Sequence, residues 1–231
     1  MARITCKELK SDKFAHEVGL TVDFFEEHRK DLARYGAIAL AVLVLVAGYM
    51  YYARHQHSAR QEALYKAVQA AEAPVGAAQP GGLSFPTQQA KDEQTVKLFA
   101  GLASKYGGST EGDIAEYFLG SIRADQGKLA DAEKHFLDAA QKGDEKYASL
   151  AKLSLAQIYF EDGRADQGEK TLRDLIAHPT IFVSSDQATL SLARQIMPKK
   201  PAEARKLLQP LLSKPGGAGQ AATDLNAEIP Q

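Results

Sequence analysis

Apolar and polar positions divide the chain into one long apolar run and a series of shorter amphipathic segments. From Tyr35 to Ala53 nineteen residues carry no charge, and Arg34 and Arg54 stand on either side of them. About 20 helical residues, each rising 1.5 Å, cross a hydrocarbon core of roughly 30 Å. The pattern therefore predicts a single transmembrane helix over residues 35–53.

A cleaved signal peptide and a buried core helix are the two alternatives for this run. Signal peptides have an apolar region of about 7–15 residues close to the N-terminus. Here 34 residues precede the run, and no small-residue cleavage pattern follows it. Tyr35 lies at one end and Tyr49, Tyr51 and Tyr52 lie at the other, as in the aromatic belts of membrane interfaces. We therefore expect an uncleaved anchor.

Charges next to the run are balanced, so the predicted orientation depends on the longer flanking segments. The segment 1–34 contains seven Lys or Arg, whereas the 178 residues after Ala53 form a domain-sized part. Long domains cross membranes largely regardless of their charge. We expect a cytoplasmic tail and a domain on the other side, with Cys6, the single cysteine, facing the reducing cytosol.

Within the tail, residues 18–34 place Val18, Val22, Phe25 and Leu32 at helical spacing, with charges opposite them. This pattern predicts an amphipathic helix on the inner leaflet. A plain polar lead-in to the anchor is the alternative.

Residues 54–87 are predicted to hold a juxtamembrane helix and a linker. The helical pattern continues past Arg54, and three prolines and three glycines then interrupt it over residues 73–86. His55 and His57 are two residues apart, so on a helix they point to different sides and make a poor pair of metal ligands.

From Thr87 onward, short amphipathic segments alternate with Gly or Pro, and an internal period of 36 residues is visible. Gly127 aligns with Gly163, and Glu133 aligns with Glu169. Alanine is abundant and β-branched runs are rare outside the anchor, a composition typical of helices. A fixed period with two helices per unit predicts a stack of helical hairpins.

The spacing of small and large residues within this period resembles the tetratricopeptide repeat over residues 88–213, with a generic helical bundle as the alternative. The resemblance implies an all-α solenoid of helical hairpins after the transmembrane helix. The Gly/Ala-rich composition of residues 214–231 predicts a flexible tail. Small residues would let antiparallel helices approach where they cross, while large ones would fill the space beside the crossing. The positions that carry this packing are Gly120, Ala132, Phe136, Ala139, Ala156, Tyr159, Gly168 and Leu172.

The same resemblance implies a concave groove that binds proteins. The groove-facing positions of the repeat are occupied here by Tyr117, Ser121, Leu153, Gln157 and Phe160. Tyr117 and Phe160 are the candidate anchors for a bound peptide. Ordinary packing against a neighbouring helix is the alternative for each of these residues.

Charge and motifs argue against most other functions. The part after the anchor has 21 Lys or Arg and 22 Asp or Glu, a net charge of −1, without a basic block of the kind that nucleic-acid binding needs. None of the motifs GxSxG, HExxH, GxxxxGK and CxxC occurs, and the six histidines are scattered. We therefore predict a non-enzymatic protein without a cofactor, metal site or small-molecule substrate.

The whole layout resembles the YfgM-like ancillary subunits of the bacterial Sec translocon. The segment VDFFEEHRKDLARYGAIALAVLVLVAGYMYY, residues 22–52, carries the resemblance. It implies a bacterial inner-membrane protein whose periplasmic repeats bind translocon components, chaperones or emerging exported polypeptides. A self-associating envelope scaffold or cell-division coordinator is the alternative, and Ala37 and Ala41 offer the small-residue spacing that lets membrane helices approach.

Overall fold

The computed structural model describes residues 29–76 and 82–229. The predicted amphipathic helix over 18–34 falls mostly outside these residues, as does Cys6. The chain forms two compact units, one ending at Ser58 and the other beginning at Ala59. Within the described residues all regular elements are helices, which confirms the predicted all-α fold with a long apolar helix first.

Nine helices are described, and the first extends from one unit into the other. Their bounds are α1 Arg29–Glu72, α2 Gln88–Tyr106, α3 Thr110–Asp125, α4 Leu129–Lys142, α5 Glu145–Glu161, α6 Ala165–Ala177, α7 Ser185–Ile196, α8 Pro201–Leu212 and α9 Gly217–Glu228. Between α1 and α2, an isolated bridge joins Val75 to Phe85.

The described part of the first unit belongs to α1 and includes the charge-free run. The apolar side chains of this run are exposed, among them Leu43 at 65% and Leu45 at 73%. By length and composition this one described helix could cross a membrane, and none of its apolar window is buried. A signal sequence near the N-terminus meets the same criterion of length and composition.

In the second unit, each helix packs mainly against the next in sequence, which produces a stack of antiparallel pairs. The pairs are α3–α4, α5–α6 and α7–α8. Their second helices begin at Leu129, Ala165 and Pro201, a constant spacing of 36 residues. The period of the sequence is thus the period of the stack.

The two helices of a pair begin in different ways. Ser109, Asp144 and Ser184 precede the first helices, and each side chain accepts a hydrogen bond from a backbone N–H in the first turn. Such caps satisfy donors that have no partner within the helix. The second helices are preceded by basic residues without a side-chain cap, namely Lys128, Arg164 and Lys200.

Glycine makes the tight turn inside the first two pairs. Gly127 and Gly163 have φ of +71° and +76°, a left-handed conformation that side chains with a Cβ rarely adopt. In both turns the N–H of the following basic residue donates to the carbonyl of a residue five positions earlier, Arg123 or Tyr159. This closure of the helix end resembles a Schellman turn.

The distal part of α1 belongs to the core of the second unit rather than to a separate juxtamembrane element. Ala67 is fully buried in one cluster with Phe99, Leu102 and Leu119. Arg60 Nε lies 3.2 Å from a carboxylate oxygen of Glu111, which is itself buried. The sequence missed this because small residues such as Ala67 make up the fully buried part of this face, and Leu64 and Val68 beside them are only partly buried.

The flexible tail predicted over 214–231 is wrong for Gly217–Glu228, which form α9. Ala222 and Leu225 are buried against α8, and Ile229 follows them into the same cluster. A Gly/Ala-rich composition indicated a frayed end, but the three apolar residues are spaced at three and four and therefore share one helical face. Gly219 fits closely at the start of α9: a Cβ there would overlap the carbonyl of Lys214 in the preceding turn and lie 3.3 Å from the carbonyl of Leu211 in α8.

Candidate functional site

Glycines bring the two helices of a pair close together at the predicted packing positions. A Cβ on Gly120 would lie 2.7 Å from the ring of Phe136, and one on Gly168 would lie 2.6 Å from the ring of Phe160. Both distances are far below ordinary van der Waals contact. In each of these two pairs an aromatic ring therefore occupies the space that the missing side chain leaves.

The other packing positions lie in the core. Ala132, Phe136, Ala139, Ala156 and Leu172 are at most 2% exposed. Tyr159 is half-buried, and the guanidinium carbon of Arg164 lies 4.6 Å from the centre of its ring.

The five predicted groove residues have different surroundings. Gln157 is exposed, and Ser121 donates a hydrogen bond to the Tyr117 carbonyl of its own helix. Leu153 and Phe160 are half-buried and pack against the cluster that contains Leu172. Packing between helices thus accounts for part of their surface, and a binding role for these residues stays a prediction.

Tyr117 belongs to a row of aromatic rings across successive pairs. Its ring centre lies 5.8 Å from that of Phe136 and 5.7 Å from that of Tyr147. Tyr147 in turn meets Phe182 edge-on at 5.4 Å. Such tilted and edge-to-face pairs are favourable aromatic geometries. The row connects α3, α5 and the loop before α7.

The loop before α7 presents two exposed apolar side chains on a fixed backbone. Ile181 and Phe182 are 79% and 40% exposed, whereas Val183 beside them is fully buried. Thr180 Oγ1 accepts hydrogen bonds from the N–H groups of Phe182 and Val183. The Ser149 hydroxyl shares a further hydrogen bond of 2.8 Å with the same oxygen. The loop is therefore tied to α5 while two large residues face solvent.

Sequence reasoning missed Tyr147, Ile181 and Phe182. The signal available was the apolar stretch TIFV, residues 180–183, in a segment without helical periodicity. The repeat pattern has no position for this stretch, because the loop between α6 and α7 is longer than the loop between α4 and α5. Tyr147 lies in the first turn of α5, outside the positions that the repeat pattern specifies.

Carboxylates lie next to Tyr117 and Tyr147. Asp113 is one turn before Tyr117 and is 6% exposed, and burial raises the pKa of its carboxyl, with the nearby Lys142 opposing the shift. Glu116 Oε2 lies 2.7 Å from His135 Nδ1. Burial raises the pKa of the Tyr147 phenol, and the neighbouring Tyr117 and the charge of Asp144, one turn before Tyr147, raise it further.

Ion pairs join the second helices of successive pairs. Arg164 donates two hydrogen bonds to Glu133, at 2.8 and 2.7 Å, and Lys200 donates one to Glu169. The bond from Arg164 holds the pKa of the Glu133 carboxyl below its usual range. The partners are 31 residues apart in both cases, so the interaction repeats with the stack.

An open groove of about 810 Å³ lies among α6, α7 and α8. Its apolar part consists of Leu207, Pro210 and Leu211. Two ion pairs stand on its rim, Arg173 with Glu203 and Lys214 with Asp186. The described residues contain no cluster of His, Cys, Asp and Glu that could hold a metal ion.

Comparison with known proteins gave one family match. A family model described as a tetratricopeptide repeat-like domain matches residues 23–187, which is more than half of the chain. No curated protein and no solved structure matches. The matched range contains the apolar run of α1 and ends in the first turn of α7.

Proposed function

Because this chain belongs to the tetratricopeptide repeat-like domain family, we propose that it is a membrane-anchored adaptor without enzymatic activity. The anchor is residues 35–53 of α1, with the N-terminal tail in the bacterial cytoplasm and the repeats in the periplasm. The repeats bind proteins of the export pathway: translocon components, periplasmic chaperones or emerging exported polypeptides. The partner class is taken from the resemblance to YfgM-like translocon subunits.

One observation carries the proposal: a helical run of nineteen charge-free residues, with its apolar side chains exposed, precedes a stack of helical pairs. In water such a run exposes a large contiguous apolar surface, which soluble proteins rarely do. Lipid is the solvent that accommodates it, since every backbone polar group of a helix is already hydrogen-bonded. Stacked helical pairs offer an extended surface for protein ligands.

The orientation is tested by fusing one reporter before Met1 and another after Gln231. An enzyme active only in the periplasm is expected to be active at the C-terminal fusion and inactive at the N-terminal one. If a reporter enzyme that works only in the cytoplasm is active at the C-terminal fusion, the proposed topology is contradicted.

The partner class is tested by a photo-crosslinking amino acid at Gln157, which is exposed and lies among the predicted groove positions. Adducts with a Sec translocon component, a periplasmic chaperone or a chain in export are expected. Placing the same crosslinker at Gln209, an exposed residue of α8, gives the control for random contact. Equal adducts from both positions, or none from either in cells that export normally, contradict the proposal.

A self-associating envelope scaffold is the second candidate, favoured by Ala37 and Ala41. Both are exposed on α1 and four residues apart, the spacing at which small residues let two membrane helices approach. Sedimentation of the full chain in detergent separates the candidates: a monomer excludes the scaffold, and a dimer lost on Ala41→Leu supports it.

A further inference from the structure

The surface formed by Tyr117, Tyr147, Ile181 and Phe182, here called the aromatic surface, combines exposure with rigidity. Ile181 is 79% exposed, and the hydrogen bonds at Thr180 hold the backbone that presents it. The rings of Tyr117 and Tyr147 are half-buried and fixed by edge-on contacts. Rigid aromatic residues give up little conformational entropy on binding and are enriched at binding hot spots.

The charge beside this surface is acidic. The acidic margin consists of Asp113, Glu116, Asp138 and Asp144, and Lys142 is the ammonium group that interacts with it. Together the four carboxylates and the Lys142 ammonium carry a formal charge of −3. An anionic lipid surface or an acidic peptide would be repelled here.

Asp113 is the most buried residue of the margin, with 6% of its surface exposed. Burial raises the pKa of its carboxyl, and the charge of Lys142 opposes that shift. A second cation, supplied by a bound segment, would further favour the ionised carboxylate. Tyr117, one turn further along α3, would at the same time present a ring to the cation.

From this juxtaposition we propose that the aromatic surface binds a segment of a partner polypeptide in which Lys or Arg stands beside large apolar residues. The apolar side chains contact Ile181 and Phe182, and the basic side chain reaches Tyr117 and the acidic margin. The inference rests on the proposed function, because it names the kind of segment that the adaptor would take.

The test uses the full chain in a neutral detergent and a fluorescent peptide that alternates Leu with Arg. Two matched peptides replace either every Arg by Glu or every Leu by Ser. The Leu/Arg peptide is expected to bind at least about tenfold more tightly than either, and more weakly at high salt. Equal binding of the Arg and Glu peptides overturns the proposal.

Variants locate the binding. Ile181→Ser with Phe182→Ala is expected to weaken binding of the Leu/Arg peptide about tenfold, whereas Leu83→Ser, at a residue that is also exposed, leaves it unchanged. Asp113→Asn preserves shape and removes the charge, so it should weaken binding of the Leu/Arg peptide and reduce its salt dependence. If Ile181→Ser with Phe182→Ala and Asp113→Asn both leave the affinity for the Leu/Arg peptide unchanged, the proposal is overturned. Circular dichroism checks that each variant is folded.

The outcomes also separate this inference from the proposed function. Translocon or chaperone adducts at Gln157 without binding of the Leu/Arg peptide refute the inference and leave the adaptor standing. If Ile181→Ser with Phe182→Ala abolishes a dimer instead of peptide binding, a second copy of the chain occupies the surface and the inference is again refuted.

Discussion

At the residue scale, two glycines determine how closely the helices of a pair approach. Gly120 lies on the first helix of its pair and is covered by the ring of Phe136, whereas Gly168 lies on the second helix of the next pair and is covered by the ring of Phe160. The covering ring comes from the second helix of the pair in one case and from the first helix in the other. The same short distance is therefore achieved by two different arrangements of side chains.

Replacing Gly120 by Ala should destabilise the fold even though Ala is the better helix former. The added methyl group would lie 2.7 Å from the ring of Phe136, a residue that is 2% exposed and belongs to the core. Overpacking of this kind costs about 1–3 kcal/mol, more than the roughly 1 kcal/mol gained in helix propensity. Urea unfolding of the full chain in detergent measures the difference.

Gly101→Ala is the matched control, because a methyl group added to this exposed glycine of α2 would have no neighbouring atom within 4 Å. It should stabilise the protein by about 0.5–1 kcal/mol. If both substitutions change stability in the same direction, the close approach at Gly120 is not what limits that position.

The ion pair of Glu133 with Arg164 should make stability depend on pH in the acid range. The hydrogen bond from Arg164 lowers the pKa of Glu133 in the folded chain. The resulting stabilisation is present above the unfolded pKa, about 4.3, and is lost as pH falls through the lower folded pKa. The advantage of the native protein over Glu133→Gln should therefore shrink between about pH 5 and about pH 3.

Unfolding midpoints in urea at both ends of that pH range give the measurement. Glu161→Gln, at an exposed carboxylate near the end of α5, serves as the reference for a change of charge alone. A native advantage that is constant across the range would contradict the role assigned to the pair.

Residue patterns indicate small packing positions more readily than they indicate an exposed surface. Ala132 and Ala156 could be placed from a spacing rule, because a close crossing tolerates few residue types and therefore leaves a readable pattern. Phe182 could not, because its exposure results from a loop length and from the hydrogen bonds of Thr180. Those depend on Ser149, which is 31 residues away.

At the element scale, α9 extends the stack beyond the three recognised pairs. Leu225→Ala should cost about 2–5 kcal/mol, because the side chain is 2% exposed and its removal leaves a cavity beside α8. Glu228→Ala, on the exposed side of the same helix, should change stability by less than about 0.5 kcal/mol. Equal and small effects in thermal unfolding would restore the interpretation of this segment as a flexible tail.

Elements with strong periodicity were predictable, and elements made of small residues were not. The tetratricopeptide-like fold was confirmed, because amphipathic segments separated by Gly or Pro leave few alternatives. The distal turns of α1 are rich in Ala, and α9 is rich in Ala and Gly. Burial of these small residues gives little hydrophobic contrast between helix faces. Contacts with Phe99 for α1 and with Leu208 for α9 show that these helices belong to the core.

At the scale of the whole molecule, retention in the membrane should depend on the charge-free run. Arginine at the centre of a membrane helix costs about 2.5–3.5 kcal/mol on insertion scales. Leu43→Arg combined with Val46→Arg should therefore move protein into the carbonate-soluble fraction, whereas Leu43→Ala with Val46→Ala should not. Native protein found in that soluble fraction would contradict the anchor.

The ion pairs between successive second helices, Glu133 with Arg164 and Glu169 with Lys200, do not continue beyond the first and last pairs. This restricts where further repeats can be added to the chain. Arg205 occupies the place that Glu133 and Glu169 hold in the earlier second helices, and Lys128 has no ion pair with a described residue. An extra 36-residue unit inserted between two existing pairs would bring both a basic residue and a Glu, and could therefore form ion pairs with both neighbours. The same unit fused after the last pair would set a cation against Arg205, so gene duplication can lengthen this protein from within more easily than from its C-terminal side.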